Sequence, residues 1–200
     1  MVEQATTHAD LLELRDERGV MQEGFHFLDE KRLMLATECQ RELNALEALE
    51  IDAVTGRERV REALRALVRE QGLAGSRTLP SVLKLTTDFH FLHRNFLGTR
   101  VLSGDPGLLE EPVRQPGPEA PGRDCAEAVV EWLHRLARMA VLTHNLTELV
   151  ADYRRTERRA RAIEDVLLPE NKQRIQELED RLEDIDQEEA IRVRLSGSRD

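Results

Sequence analysis

The histidines and their neighbouring glutamates are the first candidates for chemistry in this sequence. His90 and His93 form an H-x-x-H pair, but on a strand this spacing points the two rings to opposite faces, which disfavours a shared metal. Glu131 and His134 match the Glu-x-x-His motif of di-iron helical bundles. Such bundles need the motif on the inward faces of a four-helix bundle, whereas this sequence predicts only two long helical rods. We therefore predict no metal site.

Nucleotide chemistry and thiol chemistry are equally unsupported by the sequence. The phosphate-binding pattern GxxxxGK[ST] does not occur. Cys39 and Cys125 form no redox or metal motif, so we expect free thiols in a reducing cytoplasm, with a disulfide between them as the alternative. Trp132 is expected to pack in a helix seam rather than to bind a ligand. These observations predict that the chain itself binds no nucleotide and holds no cofactor.

The composition is that of a solvated rod rather than a compact globule. Charged residues make up 34% of the 200 residues and aromatic residues only 4%, which leaves little material for a large core. The net charge of -10 argues against a general nucleic-acid binder, which would be basic. No stretch approaches the roughly 20 apolar residues of a membrane span. The N-terminal residues show no secretory signal, so we expect a cytoplasmic protein without direct membrane insertion.

A heptad pattern from about Ala9 to Gln71 predicts a first coiled-coil helix, which we assign to residues 1–75. At about 1.5 Å per residue it would span roughly 90 Å, and Gly72 and Gly75 are expected to end it. One seam position contains Leu11, Arg18, Phe25, Arg32, Cys39, Leu46, Ala53, Val60 and Leu67. The position three residues further on contains Leu14, Met21, Leu28, Leu35, Glu42, Leu49, Gly56 and Ala63.

The region after this helix has a different pattern. Residues 83–91 alternate apolar and polar side chains, which is typical of a half-buried strand. Residues 93–95 are predicted to turn and residues 96–102 to return as a second strand, so that 76–102 forms a small hairpin or knob. An amphipathic helix over part of this region is the alternative. Five of the seven prolines fall within 103–123, which predicts a loop.

A second coiled-coil helix is predicted over residues 124–195, with Asp124 as its cap and a frayed tail at 196–200. Pro169 is expected to cause a kink or a local irregularity, because it lacks an N–H group and its ring crowds the preceding turn. The seam is expected to resume at Ile175 and to run to about Val193. Before the register shift near Ala160, the predicted seam contains Trp132, Leu136, Met139, Thr143, Leu146, Val150 and Tyr153. The predicted stripe after the shift contains Ile163, Val166, Leu167, Ile175, Leu178, Leu182 and Ile185.

Together these elements predict a mainly α-helical fold: a long antiparallel two-helix coiled coil with a small central hairpin or knob. Each rod would cover the apolar stripe of the other. The simplest assembly places the knob at one end of the rod and both chain termini at the other end.

Two segments of these rods resemble a known family. In the N-terminal segment the matching residues are Thr7, Leu11, Leu12, Leu14, Gly24, Leu28, Lys31 and Arg32. In the C-terminal segment they are Thr156, Arg158, Arg159, Ala162, Ile163, Glu164 and Pro169. The tail continues the likeness with Leu182, Glu188, Glu189 and Arg192. Both segments resemble the D subunit of the V-type and archaeal-type ATPases and ATP synthases, the central rotor shaft of these complexes.

The resemblance implies a non-catalytic shaft that couples ATP hydrolysis or synthesis to proton or sodium translocation by rotation. The implied partners are the catalytic and regulatory nucleotide-binding A and B subunits, the small F subunit of the stalk and the funnel-shaped membrane-side C/d subunit. The implied location is cytoplasmic, peripheral to the membrane as part of a membrane-bound complex. The resemblance also suggests partner-contacting residues, namely Lys31, Arg32, Arg158, Arg159, Glu164 and Pro169.

Charge is unevenly distributed along the second rod. Arginines cluster over residues 154–161 and acidic residues over 177–189. Either these are solvated faces, where an ion pair contributes about 0–1 kcal/mol, or they complement charges on partner subunits. Charged outer faces would also let a shaft turn without large apolar adhesion. The alternative function is a non-rotary antiparallel coiled-coil scaffold or adaptor, since heptads alone predict a rod in either case.

Overall fold

The computed structural model describes residues 7–76, 91–103 and 120–197. Its elements are α1 (His8–Ser76), β1 (Leu92–Phe96), β2 (Thr99–Ser103), α2 (Ala120–Ala162), a π-helical segment (Ile163–Leu167) and α3 (Leu168–Gly197). The mainly α-helical fold with a small two-stranded sheet is confirmed. The described residues belong to two compact units. We call Met1–Met34 with Tyr153–Asp200 the terminal unit, and Leu35–Asp152 the central unit.

Local chemistry explains the start of α1 and a break near its C-terminal end. The Thr7 hydroxyl accepts from the Asp10 backbone N–H at 3.3 Å, and the Asp10 carboxylate accepts from the Thr7 N–H at 2.9 Å. This reciprocal capping satisfies donors that a helix start leaves without acceptors. Near the other end, Gly72 has φ 71° and ψ 166°, a left-handed-side conformation that glycine adopts at little cost. The predicted stop at Gly72 is therefore a break in helical geometry, after which helix continues to Ser76.

The heptad seam predicted for α1 is confirmed, because every seam residue is buried or half-buried. Leu11, Leu35, Ala53 and Leu67 are the most buried apolar members. The polar members follow the same pattern, with Arg18 and Arg32 half-buried and Glu42 buried. A seam period of 3.5 residues keeps one face of the helix toward its partner over many turns.

In the terminal unit, α1 packs antiparallel against α3. Leu11 forms a buried cluster with Ile175 and Leu182, and Arg15 pairs with Glu179 at 2.6 Å. Asn171 donates its amide N–H to the Leu14 carbonyl at 3.1 Å. The predicted continuation of the seam past Leu182 is wrong, because α1, the helix that covers α3, begins only at His8. Those later apolar residues, Ile185, Ile191 and Val193, are exposed.

The irregularity predicted at Pro169 is confirmed. It is the π-helical segment, in which the Leu168 N–H donates to the Ile163 carbonyl five residues earlier. Such a bulge takes up an extra residue where a proline cannot donate to the ladder. The segment turns Val166 and Leu167 outward, and both are exposed. Their prediction as stripe residues is therefore wrong, whereas Ile163 is half-buried as expected.

The second rod begins earlier and uses a different seam than predicted. Helix α2 starts at Ala120 rather than at a cap on Asp124. Thr143, a predicted seam residue, is exposed, while the other predicted members are half-buried. The most buried residues of α2 are Val141, Asn145, Leu149, Thr156 and Ala160. Two of these are polar, and a search for apolar periodicity could not select them.

The hairpin turns at Leu97 and Gly98 rather than at the predicted residues 93–95. Strands β1 and β2 are antiparallel, with Phe96 opposite Thr99. The turn residues Leu97 and Gly98 have φ values of 52° and 93°, and the Asn95 side chain accepts from the Gly98 N–H at 2.9 Å. Positive φ at both turn residues matches the right-handed twist of the strands. The predicted turn at 93–95 is wrong, because these residues belong to β1. The strand predicted before Phe91 lies outside the described residues.

None of the helices in the described ranges is apolar over a length sufficient to cross a bilayer.

Candidate functional site

In the central unit, the Asn145 side chain holds the hairpin by pairing with the backbone of β2 as a neighbouring strand would. The Asn145 amide accepts from the Leu102 N–H at 2.7 Å and donates to the Leu102 carbonyl at 3.0 Å. Asn145 is buried, and so are Val141 and Leu149, which lie about one helical turn before and after it on the same face. Pairing of both backbone groups of β2 offsets the cost of burying the amide and the strand edge.

Two further polar contacts flank this pairing. The Thr99 hydroxyl donates to the Asp152 carboxylate at 2.8 Å, and the Arg94 guanidinium donates to Glu38 at 2.5 Å. Val101, two residues after Thr99 on β2, is fully buried. The hairpin therefore lies beside Glu38 of α1 and Asn145 of α2. The expectation that the knob sits at one end of the rod is wrong for the hairpin, because α1 continues to Ser76 beyond it.

Glu38 is the acidic residue of α1 that forms an ion pair with the hairpin. It is buried and pairs with both Arg94 and Arg41, the latter at 2.7 Å. Burial raises the pKa of the neighbouring Cys39 thiol above its ordinary value of 9.0, and the Glu38 and Glu42 carboxylates raise it further. The thiol is therefore uncharged and weakly nucleophilic at neutral pH. Both cysteines are free, as expected.

Trp132 packs closely against α1 in the central unit. Its indole N–H donates to the Ala53 carbonyl at 3.1 Å. A Cβ atom at Gly56 would lie 3.1 Å from Trp132 Cδ1 and 3.1 Å from Arg135 Nη1, so α1 needs a small residue at this point. Arg59 adds an ion pair to Glu131 at 3.0 Å. The predicted packing role of Trp132 is confirmed.

The six predicted contact residues all lie in the terminal unit, where the structure leaves most of them accessible. Arg158, Arg159, Glu164 and Pro169 are exposed. Lys31 and Arg32 are half-buried, and Arg32 pairs with Asp29 at 2.5 Å. Their contacts with partner proteins stay a prediction.

An arginine face surrounds the two exposed arginines of this group. Arg154, Arg155, Arg158 and Arg159 are all exposed, and their spacing places them on neighbouring positions of one helix surface. Within the part of the chain that the structure describes, no carboxylate pairs with any of these four, whereas Arg161 pairs with Glu157 at 2.8 Å. The arginine face can therefore offer four guanidinium groups to an acidic surface.

Sequence reasoning missed the residues that hold the hairpin. Asn145 is absent from the predicted seam, yet its spacing of four residues from both Val141 and Leu149 could have indicated an amide at a seam position. Glu38 and Asp152 carried no such signal, because acidic residues are common throughout this sequence. No cluster of three potential metal ligands occurs among residues 7–76, 91–103 and 120–197.

Comparison with known proteins adds an independent finding. The sequence model of the ATP synthase D-subunit family matches residues 10–197. The chain is 29% identical over 207 aligned positions to a V-type ATP synthase D subunit from Anaeromyxobacter dehalogenans strain 2CP-1, covering 98% of this chain and 96% of the relative. It is 28% identical, with the same coverage, to the corresponding protein from strain 2CP-C.

Proposed function

The chain belongs to the ATP synthase D-subunit family, and from this premise we propose that it is the central-stalk rotor of a V/A-type ATPase or ATP synthase. It couples ATP hydrolysis or synthesis in the catalytic ring to proton or sodium translocation. The observation that carries the proposal is the family match over residues 10–197, which includes both rods. In this role the chain transmits torque and contributes no catalytic group.

The helix packing supports a torque-bearing role. A shaft must resist twisting, and paired helices with a continuous seam resist it better than a single helix. Every residue of the α1 seam is buried or half-buried. Antiparallel contacts tie it to α3 in the terminal unit and to α2 in the central unit, through Arg15 with Glu179 and Arg59 with Glu131.

The proposed partners are the A and B subunits of the nucleotide-binding ring, the small F subunit and the funnel-shaped C/d subunit. We assign the arginine face to the ring, where acidic surfaces would meet it in turn as the shaft rotates. Charge attraction between solvated groups is weak and screened by salt, so each contact can form and break at low cost. The chain remains cytoplasmic and peripheral to the membrane within the complex.

The direct test is purification of the tagged chain from its native cells, with mass spectrometry of the proteins that accompany it. We expect stoichiometric A, B and F subunits together with the C/d subunit. Recovery of the chain alone, or with unrelated proteins only, would contradict the rotor and favour a non-rotary coiled-coil scaffold.

A charge-reversal pair tests the role of the arginine face. Arg158→Glu with Arg159→Glu should weaken retention of the shaft in the ring about tenfold or more and lower coupled ATPase activity. The matched control is Arg174→Glu with Arg181→Glu, two exposed arginines of α3 outside the face. Equal effects of both pairs would show that net charge, not this face, determines binding.

A further inference from the structure

The π-helical segment (Ile163–Leu167) adds one residue to the seam of the terminal unit. Before it, buried or half-buried positions follow steps of four and three, at Thr156, Ala160 and Ile163. After it they follow steps of three and four, at Leu168, Asn171, Ile175, Leu178 and Leu182. Only the step from Ile163 to Leu168 is five residues. An uninterrupted α-helix with one residue fewer would keep both stretches in the seam, so packing alone does not require the bulge. Bulges of this kind occur frequently at functional sites.

The four residues inside this long step face away from the seam. They are all exposed, and we call them the bulge face: Glu164, Asp165, Val166 and Leu167. The two apolar members are 48% and 41% exposed, respectively. A regular turn has 3.6 residues, so the extra residue lengthens the run of side chains that the rod presents outward.

The segment also deprives backbone carbonyls of their α-helical donors. In an α-helix the Glu164 carbonyl would accept from the Leu168 N–H, but here that N–H donates to the Ile163 carbonyl. The Asp165 carbonyl would accept from the following fourth residue, which is Pro169 and has no N–H group. Exposed carbonyls of this kind take their hydrogen bonds from water or from a partner.

The two carboxylates of the bulge face add further acceptors. Within the ranges that the structure describes, no cation pairs with Glu164 or Asp165, and the nearby Arg161 pairs with Glu157 instead. Carboxylates and carbonyls side by side form a surface that only accepts hydrogen bonds. Such a surface suits a guanidinium group, which has five N–H donors and no acceptor.

We propose that the bulge face is the contact of this chain for an arginine set among apolar side chains on the nucleotide-binding subunits of the ring. The guanidinium donates to the carboxylates and the exposed carbonyls of Glu164 and Asp165, while its apolar neighbours cover Val166 and Leu167. That the partner is a ring subunit rests on the proposed function. The apolar area of two partly exposed side chains is small, so the contact can pass from one subunit to the next.

The arginine face and the bulge face act together in this contact. Both lie opposite the seam, and the bulge face begins at Glu164, less than two helical turns after Arg159. A ring subunit that meets both faces presents an acidic group beside a basic one. Axial sliding of the shaft would set like charges against each other, so the pair of faces fixes the height of the shaft while each subunit meets it in turn.

Photo-crosslinking in the assembled complex tests the occupant. Benzoylphenylalanine replaces Leu167 in the tagged full-length chain, which is expressed in native cells, and the crosslinked peptides are sequenced. The control position is Ile51 in the central unit, which is 71% exposed. We expect products at position 167 in the nucleotide-binding subunits, within a few residues of an arginine, and none of these peptides at position 51. Products with other proteins only, with this same chain, or no product would each overturn the proposal. If ring subunits co-purify in that case, the contact fails alone; if they never co-purify, the proposed function fails.

A one-residue deletion separates this contact from the packing of the rod. Deleting Leu167 in a Pro169→Ala chain restores α-helical spacing without shifting either stretch of the seam, and the reference is Pro169→Ala at full length. The deletion should leave the melting temperature of the isolated chain unchanged or raised, and should weaken retention of the ring in salt washes at least about tenfold. Equal retention would contradict the contact. A lowered melting temperature would show that the extra residue serves packing, which would also overturn the proposal.

A charge variant that keeps the bulge provides a second measurement. Glu164→Gln with Asp165→Asn should weaken ring retention and make it less sensitive to salt, because two ionic acceptors are lost. The matched control is Glu177→Gln with Asp180→Asn, two exposed carboxylates of α3 outside the bulge face, which should change neither. Equal effects of the two pairs would contradict a contact at the bulge face.

Discussion

Asn145 and Leu102 form a two-way hydrogen-bonded pair in which a helix side chain takes the place of a neighbouring strand. The amide oxygen accepts from the Leu102 N–H at 2.7 Å, and the amide nitrogen donates to the Leu102 carbonyl at 3.0 Å. Both backbone groups of β2 at this position are thereby satisfied by a residue of α2. The hairpin depends on this pair because a two-stranded hairpin is only marginally stable by itself.

Replacing Asn145 should loosen the hairpin. Asn145→Ala removes the partner of the part-buried N–H and carbonyl of Leu102, which should lower the free energy of unfolding by about 1–3 kcal/mol. Urea denaturation measures this loss, and faster tryptic cleavage after Arg100 reports release of the hairpin. The control is Asn44→Ala, at an exposed position of α1, which should change stability by less than about 0.5 kcal/mol. Equal effects of the two changes would contradict the assigned role.

Gly56 should tolerate no larger side chain. Gly56→Val forces new atoms against Trp132 and Arg135 and should destabilise the chain by about 1–3 kcal/mol. The fluorescence of Trp132, the single tryptophan, should shift to longer wavelength as the indole becomes more exposed. Gly19→Val makes the same change where a Cβ would meet nothing within 4 Å, and it should preserve both stability and fluorescence. An unshifted spectrum in Gly56→Val would show that the indole does not depend on this gap.

Adjacent residues on opposite faces of α1 should respond differently to the same substitution. Leu28→Asp places a charge in the half-buried seam and should lower stability by about 2–3 kcal/mol. Phe27→Asp changes an exposed residue and should alter it by less than about 0.5 kcal/mol. Thermal melting followed by circular dichroism measures both. An unchanged melt in Leu28→Asp would place the seam on another face.

Cys39 should react slowly with alkylating agents below its raised pKa. Glu42→Gln removes one carboxylate that raises this pKa, so the pH profile of alkylation should move to lower pH. Burial alone raises the pKa of Cys125, and its profile should stay unchanged in the same variant. Mass spectrometry of iodoacetamide-treated protein resolves the two thiols. A shift at both cysteines would indicate a general change of structure.

The same shift predicts a pH dependence of stability. A thiol whose pKa is raised on folding remains protonated in the folded chain while the unfolded chain already ionises. Stability is therefore fully present below the unfolded thiol value and declines as pH rises through the folded one. Unfolding free energies measured from pH 8 upward should fall less steeply in Cys39→Ser than in the natural sequence.

Much of the helical architecture could be predicted from the sequence, because helical periodicity is a local property. Seam residues of α1 recur every three or four positions, and this repeat specifies the buried face without knowledge of the partner. The break at Gly72 and the irregularity before Pro169 were equally predictable, since they follow from the backbone chemistry of single residues. The family likeness of the two rods was also readable in the residues themselves.

Only the tertiary structure decided the seam of α2, the hairpin position and the free face of α1. Asn145 and Thr156 are buried in α2 although polar, and the cost of burying Asn145 is offset by a strand that is distant in sequence. No local sequence pattern can predict a hydrogen-bond partner that is so distant in the chain. Likewise, heptad spacing placed Val20 and Phe27 outside the inner seam, but only the packed structure showed that both remain exposed. Local periodicity thus determined which helices form, whereas contacts between distant residues determined what each helix face does.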